Sequence, residues 1–140
     1  MRSPMLLKVF FLLLAFVQLN ITPVIADNRA GNLISRYRAA HQSGDLKLLQ
    51  ELVVWGHAEK RTHEKITQRL GQYLNLTIRK IEYRPASDDY EYQFYGAEPS
   101  LNPVGWLVVI FDDPKDDLRY KGVSFLVGEH GDVYAITVAE

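Results

Sequence analysis

Two histidines and two glutamates fall within the eleven residues Trp55–Lys65, which read WGHAEKRTHEK. Such side chains could hold a metal ion or supply a general base. His57-Ala58-Glu59 matches the H-x-E of zinc nucleobase deaminases, but those enzymes also need a cysteine pair and the chain has no cysteine. His63 and Glu64 begin an H-E-x-x-H motif, yet Thr67 stands at the second histidine position. Neither pattern is complete, so we expect no metal site and no cofactor.

Glu59 and His63 have the spacing of neighbours on one helix face, four residues apart. At about 100° per residue, His63 lies within about 80° of the apolar residues Ile66 and Leu70. An imidazole placed there and oriented by Glu59 could act as a general base near neutral pH. The alternative is a partly buried histidine stabilised by a glutamate at the start of a helix, and such pairs are far commoner than catalytic ones.

The remaining chemistry is limited by what the chain lacks. Without cysteine there is no thiol nucleophile, no disulfide and no sulfur-ligated zinc. His41 and His130 lie in predicted turn regions, without an acidic or hydroxyl partner at a recognisable spacing, so neither supports a Ser-His-Asp triad. The acidic stretch Asp112–Asp117 lacks the glycine and terminal glutamate of an EF-hand, and we expect a solvated turn there.

The N-terminal residues have the pattern of a secretory signal peptide. Arg2 and Lys8 form a basic region, Val9–Val17 is an unbroken apolar run, and Val24-Ile25-Ala26 is a small-residue cleavage site. We expect cleavage after Ala26, which gives a signal peptide over residues 1–26 and one exported domain, periplasmic or secreted, over residues 27–140. The alternative is an uncleaved membrane anchor, but the apolar run is shorter than the roughly 20 residues needed to span a bilayer.

The exported part has the composition of one globular domain and a mild negative charge. The chain has 140 residues, of which 47% are hydrophobic and 24% charged. Removal of Arg2 and Lys8 leaves 14 of the 16 basic residues against 17 acidic ones, a net charge of about −3. A surface for nucleic acid or for anionic membranes would need a basic excess, so we expect neither partner.

Three helices are expected before any long strand. The first begins at Asp27 or Asn28 and ends at Ser43-Gly44, and the second begins after the capping residue Asp45. The third covers Ala58–Leu74, where apolar residues recur at helical spacing. Val53–Trp55, between the second and third helices, fits either the end of a helix or a short strand, because Gly56 follows.

Strands are expected in the second half of the chain. They cover Thr77–Tyr83, Tyr90–Tyr95, Val104–Phe111, Tyr120–Val127 and Val133–Val138. The run Val104–Phe111 is apolar on both faces, which predicts a central strand with something packed on each side. The last three strands should form an antiparallel meander. The fold class is therefore α+β, with three N-terminal helices packed on a curved antiparallel sheet of about four main strands in a cone-like shape.

The stretch Arg36–Leu46, RYRAAHQSGDL, resembles the first helix and turn of the nuclear transport factor 2-like superfamily of cone-shaped α+β domains, which includes ketosteroid isomerases and polyketide-cyclase-like enzymes. The resemblance implies a pocket at the mouth of the cone and places Tyr37 near the oxyanion-hole tyrosine of the isomerases. Those enzymes also need a protonated aspartate on a late strand, where this chain has about Val123. The nearest residue to their catalytic base is Glu59, in a segment with a different layout. The resemblance therefore implies the fold without a complete catalytic set, and a tyrosine on the buried face of an amphipathic helix is the more common role for Tyr37.

Five residues are candidates for lining a pocket. They are Tyr37, Trp55, Glu59, His63 and Tyr73. We expect a non-catalytic exported domain that binds a small apolar ligand, or that pairs through its sheet with a second copy or another exported protein. One alternative is a small cofactor-independent enzyme for an apolar carbonyl or ester substrate, with His63 as base and Glu59 orienting it. Another is an exported inhibitor or immunity-type factor that acts through the outer sheet and the acidic loop.

Overall fold

The computed structural model describes residues 28–87, 98–113, 115 and 121–139. In these residues the elements are α1 Asn28–Ser43, α2 Leu46–Gln50, β1 Val53–Val54, α3 Lys60–Gly71, β2 Thr77–Pro85, β3 Asn102–Asp112, β4 Lys121–His130 and β5 Val133–Thr137. The α+β class is confirmed. The predicted signal peptide, the predicted strand Tyr90–Tyr95 and residues 114, 116 and 117 of the acidic loop lie outside the described residues. Of the helices within them, none has the length and apolar character to cross a membrane.

The strands form one mixed sheet in the order β1-β5-β4-β3-β2. The four longer strands pair with one another in antiparallel fashion, which confirms the predicted meander at the end of the chain. The prediction of a purely antiparallel sheet was wrong at one edge, since β1 pairs with β5 in parallel, with Val53 opposite Ile136. This parallel edge is only two residues long, and a hydrogen bond from the Ile136 N–H to the Leu52 carbonyl, at 2.9 Å, extends it by one residue.

The helices begin and end where local chemistry dictates. Asp45 caps α2, because its carboxylate accepts a hydrogen bond from the Lys47 N–H at 2.9 Å. Gly44, just after α1, adopts φ +70°, a conformation that glycine tolerates and that ends a helix. The third helix is shorter than predicted. Glu59 has an extended backbone, and tight turns replace the helix after Gly71, with the Leu74 N–H bonded to the Gly71 carbonyl.

The core lies between the helices and one face of the sheet. Most of the largest side chains buried there come from α1, β3 and β4. They are Leu33 and Tyr37 of α1, Leu107, Val109 and Phe111 of β3, and Phe125 and Val127 of β4. Leu49, Leu70 and Ile136 complete the set. Every second residue of β3 from Gly105 to Phe111 is buried, whereas the alternate residues Trp106, Val108 and Ile110 are half-buried. The predicted central strand is therefore interior to the sheet, with one fully covered face.

The sheet bends where Tyr83 of β2 meets Tyr134 of β5. The ring centroids are 5.5 Å apart, although β3 and β4 lie between the two strands. Gly105 of β3 makes this contact possible, because a Cβ at that position would lie 2.7 Å from the Tyr83 ring. The Tyr83 hydroxyl donates to the Val104 carbonyl at 3.0 Å, where a bulge interrupts the β3–β4 register.

Ser100 fastens the segment before β3 to the parallel edge of the sheet. Its hydroxyl donates to the Val54 carbonyl at 2.6 Å and accepts from the Val138 N–H at 3.1 Å. It also lies 2.9 Å from the Thr137 hydroxyl, which is buried and accepts from the Leu101 N–H. One side chain therefore joins β1, the end of β5 and the chain entering β3.

Asp113 organises the start of the turn between β3 and β4. Its carboxylate accepts from the Lys115 N–H at 3.0 Å and lies 3.1 Å from the Lys121 ammonium. These two interactions, the backbone hydrogen bond first, lower the pKa of the Asp113 carboxyl. The ionised form of Asp113 is therefore part of what holds this hairpin together.

Candidate functional site

Tyr37 belongs to the packed core. It is 1% exposed, and its ring lies 6.1 Å from the Phe125 ring and 6.4 Å from the His41 ring, centroid to centroid. Burial raises the pKa of the Tyr37 phenol well above its ordinary value, so the group stays protonated at physiological pH. The residues around it are aromatic and aliphatic side chains of the core rather than an open cavity.

Tyr73 joins the same aromatic group from the other side. Its ring centroid is 5.2 Å from that of Phe111, and the ring of Phe111 is in turn 5.2 Å from that of His41. Tyr73 is half-buried, and its hydroxyl accepts from the Gln72 side chain at 3.2 Å. Tyr37 and Tyr73 are therefore both attached to the Phe111 region of the core.

Trp55, Glu59 and His63 form a separate group on the outside. The His63 ring stacks on the Trp55 ring, with centroids 3.9 Å apart and planes 21° apart. Trp55 is half-buried, and both Glu59 and His63 are exposed. The backbone carbonyl of Glu59 accepts from the His63 N–H at 2.9 Å, as expected at the first turn of a helix. Stacking on Trp55 therefore holds the His63 ring at the surface, away from the core tyrosines.

The five candidates thus differ in burial. Tyr37 lies in the core, Tyr73 and Trp55 are half-buried and pack against it, and Glu59 and His63 are exposed at the start of α3. The enzyme alternative uses His63 as a base in a pocket shaped by Tyr37 and Trp55. In the structure His63 contacts Trp55 at the surface, whereas Tyr37 is buried among core side chains.

His41 is the residue that sequence reasoning passed over. It lies in the last turn of α1, is 6% exposed, and its Nε2 is 2.6 Å from the Leu76 carbonyl. A carbonyl only accepts, so Nε2 is the donor in this hydrogen bond. The other ring nitrogen, Nδ1, is buried and has no hydrogen-bond partner. Its spacing of four residues from Tyr37, and eight from Leu33, indicates the core face of α1.

His41 lines a pocket that we call the Arg38 pocket. The pocket has a volume of about 220 Å³ and lies between the end of α1 and the turn that leads into β2. Its walls are Arg38, His41, Gln42 and residues 74–78. Arg38 and Gln42 are one helical turn apart and so project from the same side of α1. Five of the eight lining residues have polar side chains, Leu74, Leu76 and Ile78 are aliphatic, and none is acidic.

Two further pockets lie elsewhere on the surface. One, of about 440 Å³, lies between the start of α1 and the β4–β5 turn, and Asn28, Arg29, Asn32, Asp132 and Val133 line it. The other, of about 250 Å³, lies between α1 and α2 and is mostly apolar. Across the residues that the structure describes, no three histidine or acidic side chains are grouped so as to hold a metal ion.

Comparisons with protein-family models, with curated proteins and with solved structures find no significant match.

Proposed function

We propose that this chain is an exported, non-catalytic binding domain with the cone-like architecture of the nuclear transport factor 2-like superfamily, and that it binds a small polar ligand in the Arg38 pocket. Two features support the architecture. The helices precede the long strands, and the Tyr83–Tyr134 contact, at 5.5 Å between centroids, requires a bent sheet. The separation of Tyr37 in the core from His63 on the surface supports a non-catalytic role.

The unpartnered nitrogen of His41 is the reason for choosing the Arg38 pocket as the binding site. A buried nitrogen without a hydrogen-bond partner is uncommon in folded proteins and costs free energy. Here it belongs to a side chain in the wall of a polar pocket. A negative group on a ligand in this pocket would pair with Arg38, which makes no ion pair within the described part of the chain.

The size and charge of the pocket limit the ligand. At about 30 Å³ per water molecule, about 220 Å³ holds roughly seven waters, which matches a ligand of similarly few non-hydrogen atoms. The polar lining favours a polar ligand over the apolar one expected from the cone shape. With arginine present and no acidic side chain in the lining, a small carboxylate with a hydroxyl group fits best.

A titration followed by NMR tests the proposal. The full chain carries a C-terminal tag and is purified from exporting cells, and its amide spectrum is recorded with glycerate, propionate or glycerol. We expect glycerate to shift the amide signals of Arg38, Gln42 and residues 74–78. Arg38→Gln should weaken glycerate binding by about tenfold, since a hydrogen bond to a charged group is lost. Arg61→Gln, which removes an exposed arginine outside the pocket, is the matched control and should bind normally.

Three outcomes of that titration would contradict the proposal. The first is that none of the three probes shifts the pocket signals. The second is that the shifts survive Arg38→Gln unchanged. The third is that the shifts centre on the Trp55–His63 stack instead. Glycerol binding as tightly as glycerate would keep the site but exclude the carboxylate class.

An inhibitor or immunity-type role is the second candidate, and one surface feature favours it. Lys80, Glu82 and Arg84 form a charged row on the outward face of β2, with the Glu82 carboxylate 3.1 Å from the Lys80 ammonium and paired with the Arg84 guanidinium. Hydrogen bonds from Arg84 and then Lys80 lower the pKa of Glu82. Pairing through the sheet with an exported protein would use this face and stays a prediction. Reversal of Glu82 to lysine should abolish such a contact while leaving glycerate binding intact.

A further inference from the structure

The mostly apolar pocket between α1 and α2, which we call the α1–α2 groove, has the features of a contact surface. It has a volume of about 250 Å³, and its lining residues are Arg36, Ala39, Ala40, Leu48, Glu51 and Leu52. Ala40 and Leu52 are buried and form its floor. The small side chains of Ala39 and Ala40 leave a depression beside α2.

Leu48 projects at the rim of this groove. It is 39% exposed, and no other large hydrophobic residue in the described part of the chain is as open to solvent. Its neighbour Leu49 is fully buried, so α2 turns one leucine inward and the next outward. A single exposed leucine is ordinary. Leu48 lies next to the apolar depression, so this surface has both a protruding apolar side chain and a recess that could receive one.

The charges beside the groove have opposite signs and lack partners. Arg36 and Glu51 are both exposed, and neither makes an ion pair within the described residues. A strongly basic or acidic partner would be attracted by one of them and repelled by the other. A second copy of this chain would satisfy both, because a twofold axis places Arg36 of each copy against Glu51 of the other.

We propose that the α1–α2 groove is the face of a homodimer, in which Leu48 of each copy packs against Ala39 and Ala40 of its partner and the Arg36–Glu51 pairs close both ends. One twofold axis can bring Leu48 of each copy into the depression of the other and also bring each Arg36 to the other copy's Glu51. A closed symmetric dimer requires that a single rotation satisfy all of these contacts. This dimer uses the helices, unlike the sheet-mediated pairing expected from the sequence. It is independent of ligand binding, since the Arg38 pocket has a different lining.

Charge reversal gives a specific test. Full-chain protein, tagged and purified as for the titration, is measured by sedimentation equilibrium. We expect a dimer for the unaltered chain. Arg36→Glu alone and Glu51→Arg alone should each raise the dissociation constant at least about tenfold, because each homodimer then contains two like-charge contacts. An equimolar mixture of the two variants should recover the dimer, because the glutamate introduced in one variant then meets the arginine introduced in the other.

The controls separate this face from any other. Lys47→Glu reverses an exposed charge on α2 outside the groove lining and should leave the dimer unchanged. Leu48→Glu should weaken it by more than tenfold, since a charge would enter the apolar depression. All four changed positions are at the surface or rim, so the variants should fold, and far-ultraviolet circular dichroism checks this.

Three results would overturn the proposal. An unaltered chain that stays monomeric at all attainable concentrations removes the dimer. A dimer that tolerates both charge reversals forms elsewhere, for example through the sheet. Two variants that are monomeric alone and remain monomeric when mixed show that Arg36 and Glu51 do not pair between copies.

Discussion

Replacement of Ser100 by alanine should destabilise the protein far more than its partly exposed position suggests. The hydroxyl donates to the Val54 carbonyl at 2.6 Å and accepts from the Val138 N–H at 3.1 Å, so alanine removes a partner from two backbone groups. The Thr137 hydroxyl keeps its bond from the Leu101 N–H. Leaving partly buried polar groups unpaired costs about 1–3 kcal/mol in the free energy of unfolding, and we expect about 2 kcal/mol.

Urea denaturation followed by tryptophan fluorescence measures this loss. Trp55 directly follows β1 and reports on the edge of the sheet that Ser100 holds. The midpoint should fall while the slope against urea stays the same, since the surface exposed on unfolding is unchanged. Ser35→Ala, on the exposed side of α1, is the matched control and should lie within about 0.5 kcal/mol of the unaltered protein. A loss for Ser100→Ala no larger than that of the control would refute the role assigned to Ser100.

Two further predictions concern the β3–β4 hairpin and the bend of the sheet. The folded-state pKa of Asp113 is lowered, so its contribution is present above about pH 4 and lost as pH falls through the folded pKa. Asp113→Asn should therefore flatten the fall in stability below about pH 5; parallel curves for the unaltered protein and Asp113→Asn would contradict this. Gly105→Ala should destabilise by about 1–3 kcal/mol, because its Cβ would press on the Tyr83 ring and the Arg84 carbonyl. Gly31→Ala, with open space around the new Cβ, should be neutral or stabilising; equal effects in urea denaturation would exclude the packing argument.

Local rules in the sequence were sufficient for most elements. Asp45 preceded an apolar run and does cap α2, and the continuous apolar run Val104–Phe111 does form an interior strand. Both depend on neighbours within a few residues, such as a cap, a turn residue or an unbroken apolar run. The same rules placed the ends of α3 two or three residues too far out, where an extended Glu59 and tight turns after Gly71 take over.

Contacts between distant residues could not be predicted in this way. The pairing of Val53 with Ile136 joins residues far apart in the chain, and two residues carry too little pattern to specify a parallel edge. The stack of His63 on Trp55 was equally hidden, since helical spacing placed His63 toward the core. His41 was the one case with a usable signal, because it continues the apolar face of Leu33 and Tyr37, but its proximity to a turn concealed this.

A crystal structure of the protein purified from its native host, with any natural ligand retained, would identify the binding site. We expect ligand density in the Arg38 pocket, with a negative group at Arg38. We also expect Tyr37 to pack against Phe125 in a filled core. Ligand density between Tyr37 and the sheet, or a cavity there that His63 reaches, would exclude the proposed site and favour the enzyme alternative.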